Sequence, residues 1–228
     1  MQVPAGHRCG DCGRRGMLLS MQPEQLIDAL RREGIPVPAE ALGLWKRHEA
    51  LIREWNKVAS LVSVGDARQL ETTHLPDAVS LASVVAQLGL AGGRLLDIGT
   101  GGGYPAIPMK IALPDLVVTL VERSVKKVGF LRKVVASLKL QGVDIIHGDF
   151  PGAVQGRTVD VVTARAVEAP AKIQQALAVW MPVGALFLCQ AGLSTEFGEG
   201  MFHVERWEDA WSANGTRRGE LYVVRRNR

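Results

Sequence analysis

Apolar positions change their rhythm near residue 91. Ahead of it they recur at helical spacing. Pro23 to Glu33 carries Leu26, Ile27 and Leu30 on one face and is closed by Gly34 and Pro36, which predicts a short helix. Ala39 to Val58 predicts a longer one, with Leu44, Leu51, Ile52 and Trp55 as its apolar stripe. His74-Leu75-Pro76-Asp77 opens a third helix through Leu88, with Pro76 favoured in the first turn. After Ala91-Gly92-Gly93, short apolar runs alternate with amphipathic segments. Strands are predicted at Arg94–Ile98, Val117–Val121, Val143–Ile146, Val159–Ala164 and Ala185–Cys189, with helices at Ser124–Leu140 and Ala169–Met181. Such alternation implies a parallel sheet covered by helices on both faces. In Ser124–Leu140 the inward residues are Val128, Leu131, Val135 and Leu138, so its lysines and arginines project outward or toward a ligand. Phe202–Trp207 and Glu220–Val224 predict two further strands, paired as a hairpin.

This rhythm divides the chain into a Gly- and Arg-rich tail over 1–20, a helical extension over 21–90 and an α/β domain over 91–228. The tail is read as flexible, or as an extension ahead of a natural start at Met21. Of the 228 residues, 47% are apolar and 22% charged, enough for a packed core. No uninterrupted apolar run approaches the ~20 residues of a membrane helix, so no membrane partner is expected. Three cysteines, an odd number, and no apolar leader point to a reducing cytoplasm. Cys9-x-x-Cys12 is half of a zinc site, but Cys189 stands alone and the histidines are scattered, so no metal is expected. The formal charge of +4 permits a nucleic-acid partner without requiring one. Its placement is more telling. Arg123, Lys126, Lys127, Arg132, Lys133 and Lys139 occur with no acid between them, and Arg217, Arg218, Arg225, Arg226 and Arg228 crowd the end of the chain against Glu220.

The densest chemistry lies in Leu95-Leu96-Asp97-Ile98-Gly99-Thr100-Gly101-Gly102-Gly103-Tyr104-Pro105, directly after the first strand and before a helix. Alternating glycines let the backbone approach a ligand closely. A dinucleotide fingerprint needs its third glycine one place later, where Tyr104 stands. Asp97 would repel a pyrophosphate and suits a cationic ligand such as S-adenosylmethionine (SAM). Glu122, at the end of the second strand, is placed to accept from ribose hydroxyls; it also reads as a charged strand end. After the third strand, Asp149 is placed to accept from an adenine amino group and Phe150 to cover its ring, or Asp149 is a plain turn acid. Arg165, after the fourth strand, is placed to bond a base edge, a phosphate or the SAM carboxylate, or else to pair with Asp97 or Glu168. His74 and Asp77 read equally as functional groups or as a capping and packing pair. No Asn-Pro-Pro-Tyr-type segment and no Pro-Cys follows the fourth strand, which disfavours adenine-N6 and covalent pyrimidine-C5 methylation. Transfer to a nucleophile that needs no general base remains, such as guanine N7.

From about Trp45 to Gly192 the chain resembles the bacterial 16S ribosomal RNA guanine-N7 methyltransferases (the GidB/RsmG group). The matching segments are Trp55-Asn56, His74-Leu75-Pro76-Asp77-Ala78-Val79, Asp97 through Pro108, Pro114-Asp115, Thr119-Leu120-Val121-Glu122-Arg123-Ser124, Lys126-Lys127 with Phe130-Leu131, Leu138-Lys139-Leu140, and Asp160-Val161-Val162-Thr163-Ala164-Arg165-Ala166-Val167. The resemblance implies a Rossmann-like class I SAM-dependent methyltransferase fold. That fold is α/β, a mostly parallel seven-stranded sheet with a C-terminal antiparallel hairpin and an N-terminal helical extension. It implies SAM contacts at Gly99, Tyr104, Asp149, Phe150 and Arg165, joining Asp97, Gly101, Gly103 and Glu122 read from the residues. It implies 16S rRNA or the small ribosomal subunit as partner; the basic face at Arg123, Lys126, Lys127 and Lys133 is the expected RNA surface, and a monomer is expected. The chain departs from the family's usual pattern at Ser60-Leu61-Val62, Ala106, Gly148-Asp149-Phe150 and Gln190-Ala191-Gly192. The other readings are a methyltransferase for a small molecule or protein and a non-catalytic SAM- or RNA-binding module.

Overall fold

Runs that are apolar on both sides can be strands only if both faces are covered. In the computed structural model, which describes residues 21–165, 170–190 and 200–227, the strands β1 (Arg94–Ile98), β4 (Val161–Ala164) and β5 (Leu186–Gln190) are buried almost throughout. With β2 (Val117–Glu122), β3 (Val143–His147), β6 (Phe202–Trp207) and β7 (Leu221–Arg226) they form a seven-stranded sheet in the order β3-β2-β1-β4-β5-β7-β6. Pairing is parallel from β3 through β5, and β7 runs antiparallel to both β5 and β6. The hairpin is therefore present, and its second strand, not its first, joins the parallel sheet. The outer strand β6 alternates and carries His203, Glu205 and Arg206, as an edge in contact with water should.

Successive residues of each inner strand serve opposite faces. Leu95, Val161, Leu186 and Leu188 enter one apolar cluster, while Leu96, Val162, Phe187 and Cys189 enter a second. The first cluster lies under α1 (Pro23–Arg32), α2 (Ala41–Ala59), α4 (Leu75–Gln87), α5 (Ala106–Ala112) and α6 (Val125–Leu138); α7 (Pro170–Trp180) covers the second. Two short pieces complete the helices used below, α3 (Val64–Ala67) and α8 (Ala210–Ala213), with a single π-type turn over Leu70–His74 running into α4.

Several expectations shift by a residue or two. The fourth strand begins at Val161 instead of Val159, and the sixth helix spans Val125–Leu138, its end set by Lys139 in the left-handed region at φ 52°. The α2 stripe also differs. Leu51 and Ile52 are fully buried, Leu44 and Trp55 only half so, and Ala41, Trp45 and His48 fill the rest of that face. Trp45 is an anchor: its indole N–H donates to Pro108 O at 3.2 Å and ties α2 to α5. Cys189 is buried in the second cluster, where burial pushes its thiol up to about 11, so it is inert packing.

The arginine-rich end of the chain is corrected most. Arg217 has no exposed side-chain area and donates to both oxygens of Asp209 at 2.9 and 2.8 Å. Arg226 donates to the carbonyls of Val179 and Met181, and Arg218 grips Asp77. A charge-counting argument treats these guanidiniums as a solvated basic tail; buried carboxylates and carbonyls claim them first. Residues 1–20, with Cys9 and Cys12, lie outside the described residues, as do Ala166–Glu168 and Ala191–Gly192. Among the described residues no metal-binding cluster occurs and no helix is long and apolar enough to cross a membrane.

Candidate active site

In an open parallel sheet a ligand crevice forms outside the carboxyl ends of the strands where strand order reverses. Here that point lies between β1 and β4. The loop leaving β1 holds Gly99, Gly101 and Gly103 at φ 65°, 54° and 86°, all in the left-handed region that side chains avoid. At Gly103 a Cβ would stand 2.6 Å from Ile107 Cγ1 and 3.3 Å from His48 Nε2, so the loop is pressed against α5 and α2. Glu122 fastens the loop from the next strand. Its Oε2 accepts from Gly101 N at 3.0 Å and its Oε1 from Ser124 N at 2.8 Å. The carboxylate expected to wait for ribose is thus also the clamp that shapes the glycine turn. Each of its oxygens keeps a second lone pair.

Asp97 is fully buried at the end of β1. Thr163 Oγ1 donates to its Oδ1 at 2.7 Å, and its Oδ2 has no partner. Burial pushes this carboxyl up to about 7, against the pull of the Thr100 and Thr163 hydroxyls near it and of the Arg165 charge. Among the described residues three more buried polar atoms without partners gather at the same strand ends: Thr100 Oγ1, Arg165 Nη1 and Gln190 Nε2. Unsatisfied buried groups are costly, so four of them around one crevice make it the candidate place for a ligand to complete the bonding. An unpaired carboxylate oxygen beside unpaired donors fits a molecule with both cationic and anionic or carbonyl groups. SAM, with a sulfonium, an ammonium and a carboxylate, is such a molecule.

Tyr104 roofs the loop. Its ring stacks on His48 with centroids 5.1 Å apart, meets His74 at 5.9 Å and lies under Arg165, whose Cζ is 5.3 Å from the ring centre. His48 escapes sequence reasoning because it sits within an apolar stripe. It is fully buried, its Nε2 lies 2.8 Å from Gly102 O, and burial lowers its pKa to about 4. A carbonyl only accepts, so Nε2 carries the proton and the ring is a neutral prop for the loop.

His74 and Asp77 do not cap α4: His74 at the N-cap makes no side-chain capping bond. Both serve arginines instead. His74 Nδ1 lies 3.0 Å from Arg165 Nη2 and its Nε2 3.1 Å from Asp66 Oδ1. Burial, then the charges of Arg165 and Arg218, holds its pKa down. Asp77 accepts from Arg218 and stands 3.8 Å from Arg165 Nη1. Among the described residues Asp77 is therefore the ion-pair partner of Arg165, in place of the expected Asp97; Glu168 lies outside them. Arg218 was legible only as one of the arginines at the end of the chain, and Asp66 carried no signal in the sequence.

The remaining predicted residues lie around the rim. Asp149 is exposed, and Phe150 is half-buried with its ring edge-on to Trp180 at 5.0 Å. Arg123 is exposed just after β2, Lys126 and Lys133 are exposed seven residues apart on α6, and Lys127 is half-buried between them. Arg123 and Lys126 stand at the crevice end of the sheet; Lys133 lies two turns farther along the helix.

Known proteins resemble the chain in sequence and in fold. The sequence profile of the GidB family, described as rRNA small subunit methyltransferase G, matches residues 43–196. A ribosomal RNA small subunit methyltransferase G from Leuconostoc mesenteroides is 32% identical over 176 residues, spanning 75% of this chain and 74% of the relative. That of Leuconostoc citreum is 32% identical over 180 residues, spanning 77% and 75%. In fold, the chain is similar to a mutant of MtNAS in complex with S-adenosylmethionine, with TM-score 0.57, 16% identity and 90% and 84% of the two chains covered. It is also similar to a putative O-methyltransferase from Klebsiella pneumoniae, with TM-score 0.57, 15% identity and 90% and 96% covered.

Proposed function

The chain belongs to the GidB family, rRNA small subunit methyltransferase G, and from that premise we propose that it methylates N7 of a guanine in 16S ribosomal RNA, with SAM as donor. The observation that carries the reading is the unpaired, buried Oδ2 of Asp97 beside the glycine turn. Asp97 takes the positive charge of the donor, Gly99, Gly101 and Gly103 let backbone approach it, and Glu122, Asp149 and Phe150 take its nucleoside end. Bound SAM supplies a methyl group on a positively charged sulfur. Guanine N7 has a free lone pair and no proton to lose, so the chain has only to orient the acceptor and exclude water. Both ring nitrogens of His74 are engaged by Asp66 and Arg165, which suits a positioning role and not that of a base. The setting is the cytoplasm, and the acceptor is presented in the small subunit or its RNA.

Incubation with tritiated SAM and either 30S particles or bare 16S rRNA, followed by nucleoside mass spectrometry, tests the reading. Label recovered as 7-methylguanosine is expected. Label in neither RNA, or in another nucleoside, would overturn it.

The basic face carries its own prediction. Among the described residues Lys126, Lys127 and Lys133 form no ion pair, which leaves them for phosphates. Replacing all three by alanine is expected to weaken RNA binding and to flatten the plot of log affinity against log salt by about 1 per lost contact, with SAM affinity unchanged. Filter binding across a salt series reads this directly, and an unaltered slope would place the RNA elsewhere.

A further inference from the structure

Arg165 ends β4 with a buried guanidinium whose donors are unevenly used. Nη2 bonds His74 Nδ1 at 3.0 Å, while among the described residues Nη1 has no hydrogen-bond partner. Among the described residues the nearest carboxylate, Asp77 Oδ2, stops 3.8 Å short of Nη1, too far for a hydrogen bond. Two opposite charges that share a buried space would ordinarily close to contact. What holds Asp77 back is visible on its other side. Arg218 donates its backbone N–H to Oδ1 at 2.9 Å and its Nε to Oδ2 at 2.9 Å, and its Nη2 lies 2.8 Å from the same Oδ2. Arg218 comes from the connection between β6 and β7, beyond the residues 43–196 that match the family.

We propose that Arg218 is a positioning residue: it holds Asp77 off Arg165 and so keeps Nη1 of Arg165 for an oxygen acceptor on the bound substrates. Asp66 and His74 hold the other arm of the same guanidinium. Arginine has no acceptor, so His74 receives at Nδ1 and presents its N–H at Nε2 to Asp66. Thus one arm of Arg165 is tied down and the other is kept free. When Arg218 is lost, Asp77 closes from 3.8 Å to hydrogen-bond distance of Nη1, and the free donor is used up inside the protein. The acceptor is the carboxylate of the methyl donor or a carbonyl oxygen of the guanine, and these differ in which parameter responds.

The proposal rests on the methyltransferase reading of the crevice, and the experiment separates the two. Full-length protein is assayed with 30S particles and tritiated SAM, and SAM binding is measured by calorimetry. No transfer by the unaltered protein overturns the reading and this proposal with it. Given transfer, Arg218→Ala is expected to weaken SAM binding, or to lower kcat at saturating SAM, on the order of tenfold, the size of coupling between contacting charges. The first result identifies the donor's carboxylate, the second the guanine. Arg218→Lys, with one charged donor group, restores part of the loss. The decisive variant adds Asp77→Asn to Arg218→Ala: with no carboxylate to capture Nη1, activity recovers toward that of the unaltered protein. The Arg218 side chain is 39% exposed, so its removal opens no core, and melting curves verify folding. Parameters within twofold for Arg218→Ala, or an additive loss in the double variant, would overturn the proposal and leave the methyltransferase reading standing.

Discussion

Asp97→Asn is expected to make the ligand-free protein more stable and to abolish tight SAM binding. The carboxyl is 0% exposed, and burial raises its pKa from the ordinary 3.8 to about 7. The folded protein therefore holds this proton more tightly than the unfolded chain does. The group's contribution to stability is full below pH 4 and is lost as pH rises through 7. Above that, the desolvated carboxylate costs roughly 4 kcal/mol. Asparagine keeps the Thr163 bond through its Oδ1 and has no charge to desolvate; its unpaired amide N–H gives back about 1 kcal/mol. At pH 8 the melting temperature of the variant should stand about 5–10 °C above that of the unaltered protein, and the two should converge near pH 4. Binding moves the other way. A neutral amide cannot balance a cation, so calorimetry should show SAM affinity weaker on the order of 100-fold. For the unaltered protein, affinity should rise with pH and level off above 7. A lower melting temperature at pH 8 would mean the charge is compensated without ligand, and unchanged SAM affinity would move the donor site away from Asp97.

Gly103→Ala is expected to damage fold and site together. At φ 86° an alanine is strained by about 1–2 kcal/mol. Its Cβ would also stand 2.6 Å from Ile107 Cγ1, on the first turn of α5, and overpacking there adds about 1–3 kcal/mol. The relief available is to push the loop off α5 or to push His48 off Gly102 O, and either displaces Tyr104, which stacks on His48 and lies beneath Arg165. Denaturant titration should show a loss of about 2–5 kcal/mol, with SAM binding weakened in the fraction that remains folded. Alanine at Gly101 meets nothing closer than 3.8 Å and carries the backbone strain alone, so it should cost distinctly less. Equal losses at the two positions would show that contact with Ile107 and His48 is not what constrains the loop.

The order of elements was legible along the chain because each signal is local. A strand covered on both faces is mostly apolar on successive residues, and Leu95-Leu96 of β1, Val161-Val162 of β4 and Leu186–Cys189 of β5 read so. A helix packed on one side repeats its apolar residues at its own period, and Val128, Leu131 and Leu138 of α6 do so and are buried. A turn that needs positive φ is written as glycine, and Gly99, Gly101 and Gly103 all adopt it. The acid next to that turn was legible for the same reason: Asp97 stands two residues before Gly99, one short of the end of β1.

Partnership between charged groups was not legible, since it joins residues far apart in number. Arg218 meets Asp77 across 141 positions and Arg165 meets His74 across 91. From composition Arg217 and Arg218 are solvated charge; packing of the β6–β7 connection against α4 gives Arg218 the carboxylate of Asp77, and the fold of the connection itself gives Arg217 that of Asp209. His48 was hidden likewise, because a neutral imidazole on an apolar face announces nothing until the loop it supports is folded over it. Apolar period and backbone conformation are properties of neighbours along the chain, so they settle architecture and the place of the crevice. Which donors in that crevice stay unpaired depends on which distant carboxylates arrive first, and that is decided only when the sheet has closed.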